Sequence, residues 1–249
     1  MFWTNRKSAA AKVSVQAVLI EACESRRLLS AATGSVDPIV GGLLNVNGTR
    51  HEDNIMISVD GTDATKLDVV INGNQVAQVN LADVTKIKVN GGNGMDHITV
   101  ENTLMIPAEL IGGNAKDVLN GGAANDTLEG DNGNDAMSGG GGDDYLFGGR
   151  GGDALDGADG NDTLSGGKGN DNLMGDADAD TLAGGVGDDN LTGGDGDDLV
   201  EGDDGNDDVD GGAGTDHIMG NGGHDHFHTG DSDSEKSDDS TEADDDVLA

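Results

Sequence analysis

Apolar side chains recur at every ninth residue over the second half of the chain. Thirteen copies of one nine-residue phrase follow one another from residue 112 to residue 228, and a further copy occupies residues 91 to 99. The phrase is G-G-x-G-x-D-x-U-x, in which U is apolar and x varies. Position eight is apolar in every copy: Ile98, Leu119, Leu128, Met137, Leu146, Leu155, Leu164, Leu173, Leu182, Leu191, Val200, Val209, Ile218 and Phe227. A fixed period of this length is typical of a solenoid, in which successive copies stack.

The residue types within the phrase predict a turn followed by a short strand. Glycines at fixed offsets mark backbone with positive φ or close approach, so we predict a turn over the first six positions. The last three positions are predicted to form a strand, with position eight inward and positions seven and nine facing water. Such a short strand buries little surface by itself, so the copies are stable only when stacked.

Position six carries the candidate chemistry. It is Asp in all fourteen copies: Asp96, Asp117, Asp126, Asp135, Asp144, Asp153, Asp162, Asp171, Asp180, Asp189, Asp198, Asp207, Asp216 and Asp225. Stacking aligns these carboxylates, whose charges then repel one another. Calcium (Ca2+) resolves the repulsion, because it takes carboxylate and carbonyl oxygens in loose geometry, whereas magnesium demands a tighter octahedron. The sequence therefore predicts multiple structural calcium ions bound by these aspartates.

The phrase resembles the hemolysin-type calcium-binding nonapeptide, also called the RTX repeat, over about half of the chain. The resemblance implies an all-β fold, a right-handed parallel β-roll in which two nonapeptides form one coil of two short strands and two turns. It also implies that each calcium is held between the turn of one repeat and that of the repeat two further on. Metal binding and folding are then expected to be nearly one event.

Three copies depart from the phrase at position four, where Ala115, Ala124 and Asp178 replace Gly. A Cβ disfavours the turn at this position, so we expect these turns to bind calcium less well or not at all. The alternative is that a neighbouring turn distorts slightly and calcium binding is unchanged.

Residues 37 to 111 form the predicted N-terminal region, which includes the first repeat at 91 to 99. Short alternating runs are punctuated by Asn47-Gly48, Asp60-Gly61 and Asn72-Gly73, which predict β structure with hairpin turns. The segment from His51 to Val59 looks like a degenerate repeat. We expect a small β-rich unit that caps the first coil of the roll at residues 112 to 228, and a separate β-sandwich is the alternative.

The two ends of the chain, residues 1 to 36 and 229 to 249, are predicted to be disordered. The run from Glu24 to Ala31 resembles the LEPR-XLL leader found at the start of many large bacterial surface proteins, with Ser25 at its Pro position. A basic segment without a targeting role is the alternative. The acidic tail ends in Asp246-Val-Leu-Ala, which is similar to the extreme C-terminus of some type I secretion substrates, and a plain solvated tail is the alternative.

The net charge, the lack of a long apolar stretch and the expected calcium affinity limit the kinds of function that the chain can have. The formal charge is −36, with 13 Lys and Arg against 49 Asp and Glu, which excludes nucleic acid as a natural partner because phosphate binding requires a basic surface. No apolar stretch has the length of a membrane span. Extracellular calcium modules work at dissociation constants of roughly 10⁻⁴ to 10⁻³ M, so the roll is expected to fold outside the cell or at its surface.

These features favour a secreted or cell-surface calcium-binding protein with a structural or adhesive role, as a surface or matrix component. The alternative is a non-catalytic fragment or accessory of a type I secreted RTX toxin or hydrolase. No His-Glu-x-x-His and no Gly-x-Ser-x-Gly occurs, so no enzyme is predicted. Ice binding is disfavoured, because position three carries no column of Thr.

Four histidines near the end of the repeats form a second candidate metal site. His217, His224, His226 and His228 could hold zinc or nickel, since His226 and His228 share one outward face of a strand. Exposed histidines without a metal are the alternative.

Overall fold

The structure, a computed structural model, describes residues 34 to 228, 236 to 238 and 247 to 248. Within these residues the chain is all-β apart from one 3₁₀ helix, Leu81–Asp83, which confirms the predicted fold class. The leader-like run and most of the acidic tail lie outside the described residues. The described part of the chain has no helix that is long and apolar enough to cross a membrane.

The strands are β1 (Ser35–Val36), β2 (Leu43–Asn47), β3 (Asn54–Val59), β4 (Lys66–Ile71), β5 (Asn74–Asn80), β6 (Lys86–Asn93), β7 (His97–Val100), β8 (Ala108–Asn114), β9 (Val118–Gly122), β10 (Thr127–Asn132), β11 (Ala136–Gly141), β12 (Tyr145–Arg150), β13 (Ala154–Asp159), β14 (Thr163–Lys168), β15 (Asn172–Ala177), β16 (Thr181–Val186), β17 (Asn190–Asp195), β18 (Leu199–Asp204), β19 (Asp208–Ala213), β20 (His217–Gly222), β21 (His226–His228), β22 (Lys236–Asp238) and β23 (Val247–Leu248).

Two long sheets contain these strands, and consecutive repeat strands belong to opposite sheets. The first sheet has the order β1-β2-β6-β8-β10-β12-β14-β16-β18-β20-β22, and the second β23-β21-β19-β17-β15-β13-β11-β9-β7-β3-β4-β5. From β8 to β21 the pairing within each sheet is parallel and joins residues 18 apart, as between Leu128 and Leu146. Because 18 residues are two nonapeptides, one coil contains two copies. The predicted parallel β-roll is therefore confirmed.

The core is one continuous stack of apolar side chains inside the roll. All fourteen position-eight residues are buried, none more than 3% exposed. The same cluster includes apolar residues of the N-terminal strands, such as Leu44, Ile55 and Ile87. Each coil therefore buries its apolar residues against the coils before and after it, as stacking requires.

Except for β21, the repeat strands are longer than the predicted three residues. β14 continues through the first three positions of the next copy, and both Leu164 and Gly166 are buried along it. A Cβ on Gly166 would contact Asp171 Oδ2 and lie 2.7 Å from the carbonyl oxygen of Gly184. The prediction of a turn over positions one to six is therefore wrong for the first three, which continue the strand. Close packing inside that strand requires Gly at position one.

The N-terminal strands extend the roll. β2 pairs in parallel with β6 in the first sheet, and β3 with β7 in the second, so these strands do not form a sandwich of their own. β4 and β5 add two antiparallel strands beside β3, and Asn72-Gly73 forms the tight turn between them. Asn47-Gly48 is not a hairpin, because β2 and β3 belong to opposite sheets.

Two short strands of the tail correct the expectation that residues 229 to 249 are disordered throughout. β22 pairs with β20, and β23 pairs with β21, so each sheet gains one more parallel strand. The last repeat strands offer unpaired backbone N–H and C=O groups, and another segment can pair with them through its backbone whatever its side chains are.

Candidate metal centre

The fourteen position-six aspartates lie in two columns of stacked turns, and none is more than 6% exposed. The first column precedes strands of the second sheet and contains Asp96, Asp117, Asp135, Asp153, Asp171, Asp189, Asp207 and Asp225. The second column precedes strands of the first sheet and contains Asp126, Asp144, Asp162, Asp180, Asp198 and Asp216. The structure therefore brings all the predicted ligands into these two columns, and their binding of calcium stays a prediction.

One carboxylate oxygen of each aspartate holds the preceding coil in register. Asp135 Oδ1 accepts a hydrogen bond of 2.7 Å from the backbone N–H of Asp117, and Asp153 Oδ1 accepts one of 2.7 Å from Asp135. The contact recurs every 18 residues and ends at Asp225 Oδ1, which accepts from the N–H of Asp207 at 3.0 Å. In the second column, Asp126 Oδ1 accepts from Ala108. Position six therefore fixes the alignment of adjacent turns.

The other carboxylate oxygen, Oδ2, is buried without a hydrogen-bond partner in twelve of the described aspartates. These are Asp96, Asp117, Asp126, Asp135, Asp144, Asp153, Asp162, Asp171, Asp180, Asp189, Asp198 and Asp207. The surroundings of Gly130 show what Oδ2 faces: a Cβ there would lie 2.6 Å from Asp135 Oδ2 and 2.7 Å from the carbonyl oxygen of Gly148. Two acceptor oxygens from adjacent coils thus border the same small space.

Burial raises the pKa of these carboxyls. Removal from water raises the pKa of Asp135 from 3.8 to about 7, although the hydrogen bond from Asp117 opposes the shift. The same cause raises the pKa to about 7 at Asp96, Asp126, Asp144, Asp180 and Asp207, and to about 6 at Asp117 and Asp171. The ionised form is therefore costly in the folded chain unless a cation compensates it.

This donor set fits calcium. Oxygens bordering the space at each turn come from a carboxylate and from a backbone carbonyl, which are the hard ligands that calcium takes in sets of about six to eight. A buried acceptor without a donor is destabilising, and a cation satisfies it. Zinc and other late transition metals favour nitrogen or sulfur ligands, whereas the polar atoms that border the space at Gly130 are oxygens.

A family model described as the RTX calcium-binding nonapeptide repeat (4 copies) matches residues 111–146, 147–182, 174–209, 184–218 and 201–233. These segments belong to the RTX repeat family. The resemblance predicted from the sequence is thereby confirmed, and the RTX repeats are calcium-binding repeats. A search of curated proteins finds no match to the chain.

Asp53 heads the first RTX column, although it was not among the predicted ligands. Its backbone N–H donates to Asp96 Oδ1 at 2.8 Å, as the position-six aspartates do to one another. Both of its carboxylate oxygens are hydrogen-bonded, Oδ2 to the N–H of Thr49 at 2.5 Å and Oδ1 to Asn72 Nδ2 at 2.7 Å. Protein donors therefore satisfy Asp53. The degenerate repeat at this point was the signal that could have identified it.

Left-handed backbone distinguishes two of the three imperfect RTX turns. Ala115 has φ 85° and Asp178 has φ 75°, whereas Ala124 does not adopt positive φ. A side chain in this region costs about 1 to 2 kcal/mol, so the first two turns are strained, and their weaker calcium binding stays a prediction. Sequence reasoning overlooked position two, which has positive φ in every copy and carries five residues other than Gly: Asp131, Ala158, Asp176, Asp203 and Asn221.

The structure brings only two of the four candidate histidines together. His226 and His228 lie together on β21 and contact Asp208. His217 belongs to β20 in the opposite sheet, and the backbone N–H of His224 donates to Asn206 Oδ1 at 3.1 Å in a turn. Asp208 was missed by the sequence prediction, although its position two repeats before His226 was the available signal.

Proposed function

We propose that this chain is a secreted or cell-surface protein whose RTX roll folds when it binds calcium and whose role is structural or adhesive. One observation supports this proposal above the others, namely the series of buried Oδ2 atoms without hydrogen-bond donors in twelve of the described aspartates. A chain that repeats this costly arrangement in twelve described turns gains stability from a cation that completes it. The fourteen position-six aspartates are the proposed ligands.

The residues of each turn divide the task of holding a calcium ion. Asp Oδ1 keeps the preceding coil in register through its hydrogen bond, while Oδ2 and the carbonyl oxygen of position one in the next coil would bind the ion. Bound calcium would supply the positive charge that neutralises the column. Because the ligands come from adjacent coils, each ion would also link them, so calcium binding and folding would be cooperative.

A low-calcium compartment would leave the chain unfolded, which supports a location outside the cell. Extracellular calcium modules have dissociation constants of roughly 10⁻⁴ to 10⁻³ M, and extracellular calcium concentrations reach that range. The proposed role is non-catalytic, because the candidate ligands are buried between coils, at most 6% exposed, and a substrate would have no access to them. A rigid acidic roll suits a component of a surface or matrix.

The experiment is circular dichroism of the full chain during titration with calcium, with magnesium titrated in parallel, followed by a chelator. We expect a cooperative gain of β signal near millimolar calcium, loss of that signal on chelation and a much weaker response to magnesium. A β signal that is indifferent to calcium and chelator would contradict the proposal.

A paired variant tests the ligands. Asp162→Ala combined with Asp180→Ala should raise the calcium concentration at the folding midpoint, because the two aspartates are neighbours in one column. Asp159→Ala together with Asp195→Ala, which removes two exposed charges, is the control and should leave the midpoint nearly unchanged. Location is tested separately by fractionating the producing cells, and recovery from the cytosol alone would contradict secretion.

A further inference from the structure

Three side chains outside the two columns of position-six aspartates lie together on the outer surface of the last repeats. His226 and His228 flank the buried Phe227 along β21, so both imidazole rings project from the same face of the second sheet. Asp208 lies beside His226 on the neighbouring strand, β19. Its carboxylate is about half exposed, in contrast with that of Asp207, which belongs to the calcium column and is buried.

The three side chains converge on one point. Asp208 Oδ1 lies 3.0 Å from His226 Nδ1 and 2.7 Å from His228 Nε2. One ligand atom from each residue lies within 4.8 Å of the other two. The two imidazole rings are 4.6 Å apart between centroids and meet edge to face at 65°. Two ring nitrogens and one carboxylate oxygen are therefore already gathered.

We propose that Asp208, His226 and His228 bind a divalent transition metal ion, with zinc as the ion that fits best. Imidazole nitrogen is a ligand for zinc, nickel and copper, whereas calcium takes oxygen, so this site is chemically distinct from the turn columns. Zinc ligands of this kind lie about 2.0 to 2.2 Å from the ion, so neighbouring ligand atoms stand roughly 3.5 Å apart in a tetrahedron. Small side-chain rotations are enough to reach that spacing.

Solvent access determines what kind of site this is. The side chains of His226, His228 and Asp208 are 39%, 49% and 49% exposed, so an ion reaches them directly from solution. Three protein ligands leave a further coordination position for water. Since Asp208 belongs to β19 and both histidines to β21, the bound metal would also connect the last repeat strand to the strand beside it.

Zinc itself is the probe that tests the proposal. The full chain is first saturated with calcium, so that the turn columns are filled, and zinc is then titrated in competition with a chromogenic zinc chelator. We expect one zinc ion per chain, and a loss of affinity of roughly tenfold or more in His226→Gln, His228→Gln and Asp208→Asn. His217→Gln, in the opposite sheet, is the matched control and should bind zinc as the unaltered chain does.

Cobalt provides a second readout of the same ligands. Cobalt added to the calcium-saturated chain should give visible absorption typical of nitrogen and oxygen coordination, and His226→Gln should abolish it. Calcium-dependent circular dichroism of each variant shows whether the roll is intact. Equal zinc affinity in the unaltered chain and in folded His226→Gln and Asp208→Asn would overturn the proposal, and so would absence of stoichiometric zinc binding. Either result would leave calcium-dependent folding unaffected.

Discussion

Replacing Asp135 by Asn should stabilise the roll without calcium and destabilise it with calcium. Asn retains an Oδ1 that accepts the hydrogen bond from the N–H of Asp117, which is 2.7 Å in the structure. Its amide group takes the place of Oδ2, which borders the same space as the carbonyl oxygen of Gly148. An amide N–H can donate to that carbonyl, whereas a carboxylate oxygen cannot. The substitution therefore separates the charge of the side chain from its shape.

The two effects are large enough to measure. A pKa raised from 3.8 to about 7 corresponds to a cost of about 4 kcal/mol for keeping the Asp135 carboxylate ionised and buried near pH 8. Asn removes this cost and can add a hydrogen bond worth about 1 kcal/mol. With calcium at a thousand times its dissociation constant, each filled site contributes about 4 kcal/mol, and Asp135 lies between two neighbouring turns. Losing both sites would cost about 8 kcal/mol, which exceeds the roughly 5 kcal/mol that Asn gains.

The assay is denaturant unfolding of Asp135→Asn and the unaltered chain, followed by circular dichroism in saturating calcium and in chelator. An osmolyte that favours compact states is added to the chelator samples so that folding can be compared there. Asp159→Asn is the control, because it removes the same charge from an exposed position of the roll. Equal destabilisation of Asp135→Asn in both conditions would refute the reasoning, since a packing defect alone would produce it.

Two further predictions concern protons and backbone strain. In chelator, lowering the pH from 8 to 5.5 should increase the roll content seen by circular dichroism. The raised pKa, about 7 at Asp126 and Asp144, means that the folded chain binds protons that the unfolded chain does not. This contribution to stability is complete below about pH 4 and is lost as the pH rises through 7, so a roll content that falls on acidification would contradict it. Ala158→Gly should stabilise the calcium-bound roll by about 0.5 to 1 kcal/mol in denaturant unfolding, because Ala158 has φ 79°. Ala154→Gly, the same change at an extended position of β13, should instead destabilise the roll. A loss of stability in both variants would contradict the inference that the left-handed backbone at Ala158 is strained.

Sequence periodicity was sufficient to predict the core and the general position of the candidate ligands. Position eight reports burial directly, since an apolar side chain is retained there in every copy, and all fourteen are buried. The recurring Asp at position six indicates a ligand, because a buried carboxylate is too destabilising to recur without a role. The match to RTX repeats confirms this interpretation of the period.

The features that could not be predicted from the sequence depend on contacts made by the backbone or between neighbouring coils. Gly166 was placed in a turn because a residue without a side chain carries no sign of the face it occupies, although it is buried in β14. Asp53 was overlooked as the head of the column because its donors, Thr49 and Asn72, lie at no fixed offset in the period. The pairing of Asp208 with His226 becomes evident only when residues 18 apart are compared.

The 18-residue step between hydrogen-bonded turns makes the length of this molecule adjustable in pairs of repeats. Deleting or duplicating 18 residues would leave every later strand in its original sheet and every aspartate in its original column. A change of nine residues would instead exchange the sheets of all later strands, so that β22 and β23 would meet the wrong edges. Unequal exchange between gene copies can therefore lengthen or shorten the roll by an even number of repeats. After such a change, the strands at both ends of the roll still pair in their original sheets.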